Sequence, residues 1–310
     1  MQVIRDIREF PQLSQAVVTS GTFDGVHVGH QKIIQRLINR TRETKGQSVV
    51  ITYWPHPRIV LNPGEPPVQL LSTIEERIAH LNQFPIDYLL IIPFTREFAS
   101  LNSQQYIQQI LLDAINTKEL VIGYDHRFGK NREGSFAYLQ QHAPTLGFTV
   151  EEIPAEDIDH VTVSSTKIRH ALEKGDIRTA NAYLGHAYSL TGKVVPGKKL
   201  GRTIGYPTAN IEVPENYKLI PGQGIYAVRV QVNDKTLGGM LSIGTNPTVG
   251  GTQQTIEVHI FDFDGDIYEQ NITLYFVGYI RPEEHFGSLG ELKEKLATDQ
   301  TAALVLLKAD

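Results

Sequence analysis

Short apolar runs and amphipathic stretches take turns along the first half of the chain. Residues 16–20, 49–53, 88–92, 120–123 and 148–153 are each dominated by apolar side chains over the length of a strand buried on both faces. Between these runs, residues 32–38 repeat their apolar positions at helical spacing. Ser72-Thr73-Ile74-Glu75 reads as a capping box that opens a helix through Leu81, and 103–115 carries Tyr106, Ile107, Ile110 and Leu111 on one face. Strands separated by helices predict a parallel sheet with right-handed crossovers, and such sheets gather ligands at the strand carboxyl ends.

From Tyr188 onward the pattern changes. Tyr226-Ala227-Val228-Arg229-Val230-Gln231-Val232 alternates face by face, and Asn233-Asp234 and Asp264-Gly265 read as hairpin turns. Strand after strand without intervening helices predicts an antiparallel barrel, closed to remove its edges. Before it, residues 176–184 form a last short helix stopped by Gly185, and only 289–307 returns to helical spacing. The expected organisation is an α/β domain over residues 1–186 and a β-barrel domain with a terminal helix over 187–310.

Composition narrows the chemistry. The 310 residues are 41% hydrophobic, enough for a core in each of two domains. Cysteine is absent, which removes disulfides, thiolate catalysis and Cys-based zinc sites. A formal net charge of −5 offers no basic excess for nucleic acid. No apolar run reaches spanning length and the first residues lack a signal-peptide core, so the expectation is a soluble cytoplasmic protein with no membrane partner. Nothing in the sequence fixes an oligomeric state.

Two segments carry candidate phosphate chemistry. Gly21-Thr22-Phe23-Asp24-Gly25-Val26-His27-Val28-Gly29-His30 joins a predicted strand to a predicted helix. His27 and His30, three residues apart, can face one side of the opening turn, where unpaired backbone N–H groups already favour an anion. Further on, Ser164-Ser165-Thr166 opens a helix with Arg169 one turn later. Hydroxyls there can cap the helix or bind phosphate, and a guanidinium clamps oxyanions through its fork of donors; taken singly, an ordinary cap beside a solvated Arg explains them equally well.

In the second half, Gly201 and Gly205 bracket a loop rich in Lys198, Lys199 and Arg202, suited to a triphosphate. Extended residues alternate faces, so Thr208 and Asn210 of Pro207-Thr208-Ala209-Asn210 point the same way and can offer two oxygen ligands to a hard cation. Glu257 stands among apolar strand neighbours, where a carboxylate is costly unless it faces a site or solvent.

The His-x-Gly-His block resembles the nucleotidylyltransferase superfamily, and its Phe-Asp-Gly-Val-His core resembles bacterial FAD synthetases. The Pro-Thr-Ala-Asn block resembles the riboflavin kinase signature. Joined in this order from about Val17 to about Asp299, they resemble the prokaryotic bifunctional riboflavin kinase/FAD synthetase family. That resemblance implies a Rossmann-like adenylyltransferase domain followed by a kinase barrel, with ATP and Mg²⁺ used at both sites and riboflavin, FMN and FAD as substrates and products. It implies that His27 and His30 neutralise the transferring phosphorus, that Gly21, Phe23, Asp24, Gly25, Ser164, Ser165, Thr166 and Arg169 contact the ATP of the first site, and that Gly201, Gly205, Pro207 and Thr208 contact that of the second. Thr208 and Asn210 would hold the metal and Glu257 would be the general base. Flavin contacts are implied at His56, Pro57 and Asp125, and at Arg281 and Glu283 in the barrel. The chain departs from the family pattern at Tyr53 and Trp54 (usually Phe and an acidic residue), at His126 (usually Phe) and at Glu269 (usually Gly). Two alternatives stay open: an adenylyltransferase whose barrel only binds flavin, and a non-catalytic flavin sensor.

Overall fold

The computed structural model describes residues 1–62, 68–154, 163–197, 200–248 and 251–309. The chain forms two compact units, Met1–Ser165 and Thr166–Asp310.

In the first unit, β1 (Gln2–Ile4), β2 (Ala16–Ser20), β3 (Gln47–Trp54), β4 (Tyr88–Pro93), β5 (Thr117–Gly123) and β6 (Thr149–Ile153) make one parallel sheet in the order β1-β4-β3-β2-β5-β6. The chain leaves β2 on one side through β3 and β4, then returns to the other side for β5 and β6. The strand order therefore reverses at the β2–β5 boundary, the crevice where a sheet of this kind receives ligands. The edge strand β1 was not legible, being three residues long with Val3 exposed.

Side chains alternate across this sheet. Val18, Val49, Ile51, Leu90, Leu120 and Ile122 join one core, and Val17, Val50, Leu89, Ile91 and Val121 join the other. Helix α1 (Val28–Thr44) delivers Ile34 and Leu37 to the second core. Two single turns, α2 (Pro57–Leu61) and α4 (Arg96–Ala99), flank α3 (Ile74–Leu81), which adds Ile74 and Leu81. The predicted 103–115 helix is α5 (Ser103–Tyr106) running into a wider π-helical stretch, Ile107–Ala114; with α6 (Phe136–Leu146) it covers the first core. Each Leu or Ile removed from water in this way contributes about 1.5–3 kcal/mol, so covering both faces is what stabilises the sheet. The predicted capping box is displaced by one residue: Thr73 caps α3 and Glu76 closes the box. Ser72 is engaged elsewhere, accepting from the Gly25 backbone N–H at 3.0 Å.

Helix α7 (Ser165–Glu173) begins at the last residue of the first unit, and α8 (Ile177–Leu184) follows, capped by Asp176 and ended by Gly185 at φ 76° as expected. The barrel consists of β7 (Ser189–Val195), β8 (Ala209–Glu212), β9 (Gly224–Val232), β10 (Lys235–Thr248), β11 (Gly251–Ile260) and β12 (Asn271–Arg281), closed in the order β10-β11-β8-β7-β12-β9 with antiparallel pairing throughout. A turn, α9 (Leu200–Thr203), precedes β8. Helix α10 (Leu289–Ala309) lies on the outside, packing Ala303, Leu306 and Leu307 against Ala227 and Met240. Gly238 and Gly278 permit that approach, since a Cβ there would come within 2.8 and 3.1 Å of Leu307 and Leu306. Asn233-Asp234 is the two-residue hairpin turn expected between β9 and β10. Asp264-Gly265 is not a hairpin turn: it lies within a ten-residue connection, 261–270, between strands that do not pair, β11 bonding to β10 and β8 instead. An Asp-Gly step bends the chain but does not decide which strands lie side by side. Among the described residues, no helix is long and apolar enough to cross a membrane.

Candidate active sites

Between β2 and α1 the chain makes a strained turn. Phe23 (φ 47°), Gly25 (φ 76°) and Val26 (φ 42°) all occupy the left-handed region, which glycine adopts freely and a β-branched residue does not. Such strain persists where the surroundings fix it. The buried Asp24 carboxylate accepts from the backbone N–H of Leu71 (2.9 Å) and of Ser72 (3.1 Å), and Thr52 donates its hydroxyl to the Thr22 carbonyl at 3.2 Å. Asp24, grouped by sequence with the ATP contacts, thus uses its charge to hold the turn in shape.

His27 caps α1, its Nδ1 accepting from the His30 backbone N–H at 3.3 Å. That bond leaves the His27 proton on Nε2. The two rings stack with centroids 3.6 Å apart and planes 15° from parallel, so the pair predicted to share a side does so. Burial first, then the neighbouring His27 and the Arg77 guanidinium, hold the His30 pKa well below its ordinary value. A neutral His30 can donate a hydrogen bond to a phosphate but brings no full charge; the helix N-terminus and nearby cations must supply the field.

One of those cations was missed. Arg77, on α3, is fully buried and donates through Nη1 to the Thr52 hydroxyl (3.2 Å) and the Tyr53 carbonyl (3.4 Å). In sequence an Arg on an amphipathic helix reads as solvated, and only the tertiary structure turns it inward. Ser165 Oγ reaches the Asp24 carbonyl at 3.5 Å and so brings the start of α7 to the turn; Ser164 lies just before the helix, and Thr166 and Arg169 follow on α7 in the second unit.

The loops after β3 and β5 fill different roles. Tyr53 and Trp54 point to opposite faces and pack into the two cores, Tyr53 against Phe94 and Phe98, Trp54 beneath Arg77 at 5.9 Å. His56 is buried and caps α2, accepting from the Arg58 N–H at 3.2 Å, with Pro57 in the first turn. Asp125 is exposed beside His126, whose ring is held near pKa 4 chiefly by burial and then by Arg127 and Arg132.

In the barrel, β8 pairs with β11 so that Asn210 stands opposite Glu257. Thr208 donates its hydroxyl to Glu257 Oε2 at 3.2 Å, and His259 Nδ1 lies 2.8 Å from the Pro207 carbonyl. The carboxamide of Asn210 rests directly on Gly197, where any Cβ would sit 2.0 Å from its nitrogen. Thr208, just before β8, is thus bonded to Glu257 of β11, with Asn210 of β8 opposite Glu257 in register. Beside them opens a cavity of about 630 Å³ lined by Arg202, Thr208, Asp264, Asp266, Ile267 and Tyr268 among others. Its far wall is the 261–270 connection, which sequence reading took for a simple turn. Lys198 and Lys199 lie outside the described residues. The Arg281 fork is bound to Asp299 of α10 at 2.9 and 2.7 Å, and Glu283 accepts from Ser242 at 3.2 Å while resting against Gly244.

Among the described residues no group of three or more His, Asp or Glu side chains is arranged to hold a metal ion. The all-oxygen set at Thr208, Asn210 and Glu257 suits a hard cation that also takes oxygens from phosphate.

Family models for FAD synthetase and riboflavin kinase match residues 9–167 and 184–307. A bifunctional riboflavin kinase/FMN adenylyltransferase of Escherichia coli K12 is 38% identical over 306 residues, covering 98% of this chain and 97% of its own length. The chain belongs to the bifunctional riboflavin kinase/FMN adenylyltransferase family. Family members from Pseudomonas fluorescens and Haemophilus influenzae are each 35% identical, over 99% and 98% of this chain and 98% of their own lengths. A crystal structure described as a macrolide-efflux protein from Streptococcus pneumoniae has a TM-score of 0.88 at 31% identity, covering 97% of this chain and 98% of that one. Membership in a family of two joined transferases favours neither the monofunctional nor the sensor alternative.

Proposed function

We propose that the chain divides the family's reactions between separate ATP sites, residues 1–186 adenylylating FMN to FAD and residues 187–310 phosphorylating riboflavin to FMN. The functional boundary is taken at 186/187, with α7 and α8 assigned to the adenylyltransferase half. In the first reaction a phosphate oxygen of FMN attacks the α-phosphorus of ATP, the bond to the β-phosphate breaks and pyrophosphate leaves. His27 and His30 donate Nε2–H bonds to the phosphate oxygens, the turn holds the backbone N–H groups of α1 toward them, and Ser164 and Ser165 steady the triphosphate. Catalysis of this kind rests on alignment and charge stabilisation, without a covalent intermediate.

In the barrel, Glu257 accepts the proton of the ribityl 5′-hydroxyl as that oxygen attacks the γ-phosphorus, and ADP departs. The Thr208 hydroxyl orients the carboxylate, and Arg202 faces the cavity from the phosphate side. Mg²⁺, held by Thr208 and Asn210, would neutralise phosphate charge there. A cytoplasmic location, where ATP and riboflavin meet, fits this reading.

The observation that carries it is the pairing of Asn210 with Glu257 across β8 and β11, with Thr208 bonded to the same carboxylate, in a unit separate from the stacked histidines. Its test is to supply riboflavin with ATP and follow FMN, then FMN with ATP and follow FAD and pyrophosphate. A chain that forms FAD from FMN but no FMN from riboflavin has only the first half of the proposed activity.

A further inference from the structure

Ser20 ends β2 at the point where the strand order reverses and runs straight into Gly21 of the strained turn. Its side chain is buried, at 6% exposure. Ser20 Oγ lies 2.9 Å from His126 Nε2, and nearby the Tyr53 and Tyr106 hydroxyls bond each other at 2.8 Å. The Ser20 hydroxyl thus ties the end of β2 to the segment after β5, where His126 adjoins Asp125.

The direction of the bond follows from the ring's other nitrogen. His126 Nδ1 is shielded from water and has no hydrogen-bond partner among the described residues. Buried N–H groups are left unmet more rarely than buried acceptors, so the proton belongs on Nε2 and the ring donates to Ser20. Ser20 then accepts from His126, the sense in which the bond holds the segment after β5 to β2. Burial keeps the ring neutral, which preserves that sense.

We propose that Ser20 and His126 are positioning residues for FMN adenylylation: their hydrogen bond fastens the loop after β5 to the end of the phosphate turn and so fixes how FMN is held against the triphosphate. This rests on the adenylylation reading of the first unit. Neither residue need touch substrate; each acts through the loops it ties together.

The test uses the full-length protein, pyrophosphate release at saturating ATP, and FMN as the varied substrate, for Ser20→Ala, His126→Phe, the double variant and His126→Gln. A hydrogen bond of this kind predicts a rise of roughly three- to tenfold in the KM for FMN in each single variant. The double variant should be no worse than either single one, because both remove the same bond. The KM for ATP and the kinase rate should stay as they were, and His126→Gln, whose side-chain amide offers a donor near the place of Nε2, should recover most of the loss. Unchanged KM values for FMN in both singles, a merely lowered melting temperature, or additive effects in the double variant would overturn the proposal. If the wild-type chain itself releases no pyrophosphate from FMN and ATP, the underlying reading has failed instead.

Discussion

The two units place the groups proposed to handle phosphate on opposite kinds of scaffold. In the first, the groups sit on a strained, buried turn, pinned by Asp24 and Thr52, its histidines are stacked, and burial keeps His30 from charging. In the barrel they are side-chain oxygens on, and just before, paired strands, and of these the exposed Thr208 lines an open cavity. A turn of that kind offers backbone N–H groups that are rigid before any ligand arrives, whereas the barrel rim offers oxygens and one carboxylate that can take a proton. The difference suits the chemistry: displacement by an FMN phosphate that is already an anion needs alignment, while displacement by a hydroxyl needs a base.

The contrast can be broken most sharply at Glu257. Glu257→Gln keeps the shape but removes the proton acceptor, and should lower FMN formation from riboflavin by about 10²–10⁴-fold while FAD formation from FMN persists. A variant that still phosphorylates riboflavin at the wild-type rate, by chromatographic assay of FMN, removes the base from Glu257. Next in size, His30→Ala should lower pyrophosphate release from FMN and ATP by about 10²–10³-fold, the loss seen when one preorganised donor is removed, and leave the kinase rate alone.

Smaller effects concern stability. Arg281 and Asp299 are a bidentate pair with side chains only 11% and 2% exposed, so Arg281→Ala strands a buried carboxylate. The barrel unit should lose about 3–5 kcal/mol, read by chemical denaturation as an earlier transition for that unit alone. The mildest contrast is in acid. His30 and His126 bind protons less readily in the folded chain than at their ordinary value of 6.5, His126 only near 4. Between those values the unfolded chain holds more protons, so the stability these rings contribute is complete above pH 6.5 and declines as pH falls. The first unit should therefore soften between pH 6.5 and about 4, and His126→Phe should flatten that slope. A slope identical in the variant would remove His126 from the account.

Much of this architecture was legible because period and punctuation agreed. The β2, β3, β4 and β5 runs, the Gly185 stop and the Asn233-Asp234 turn each announce themselves locally, and the His27–His30 spacing alone foretold a shared face. What stayed hidden depends on partners distant in sequence. Ser72 was misread as a cap because its real partners, Asp24 and Gly25, lie far away in the chain. Arg77 and Ser20 carry no local mark at all; their importance comes from which strand ends the sheet brings beside them. The 261–270 connection looked like a hairpin because an Asp-Gly step is silent about strand order, yet it supplies a wall of the barrel cavity.

Independence of the two sites is tested most directly by complementation. Glu257→Gln and His30→Ala, each folded and each inactive in one reaction, are mixed with riboflavin and ATP, and FAD is followed by chromatography. Two self-sufficient sites predict FAD from the mixture, as FMN made by the His30→Ala chain is adenylylated by the Glu257→Gln chain, with far less FAD from either alone. No FAD from the mixture, or loss of both reactions in either single variant, would contradict the account.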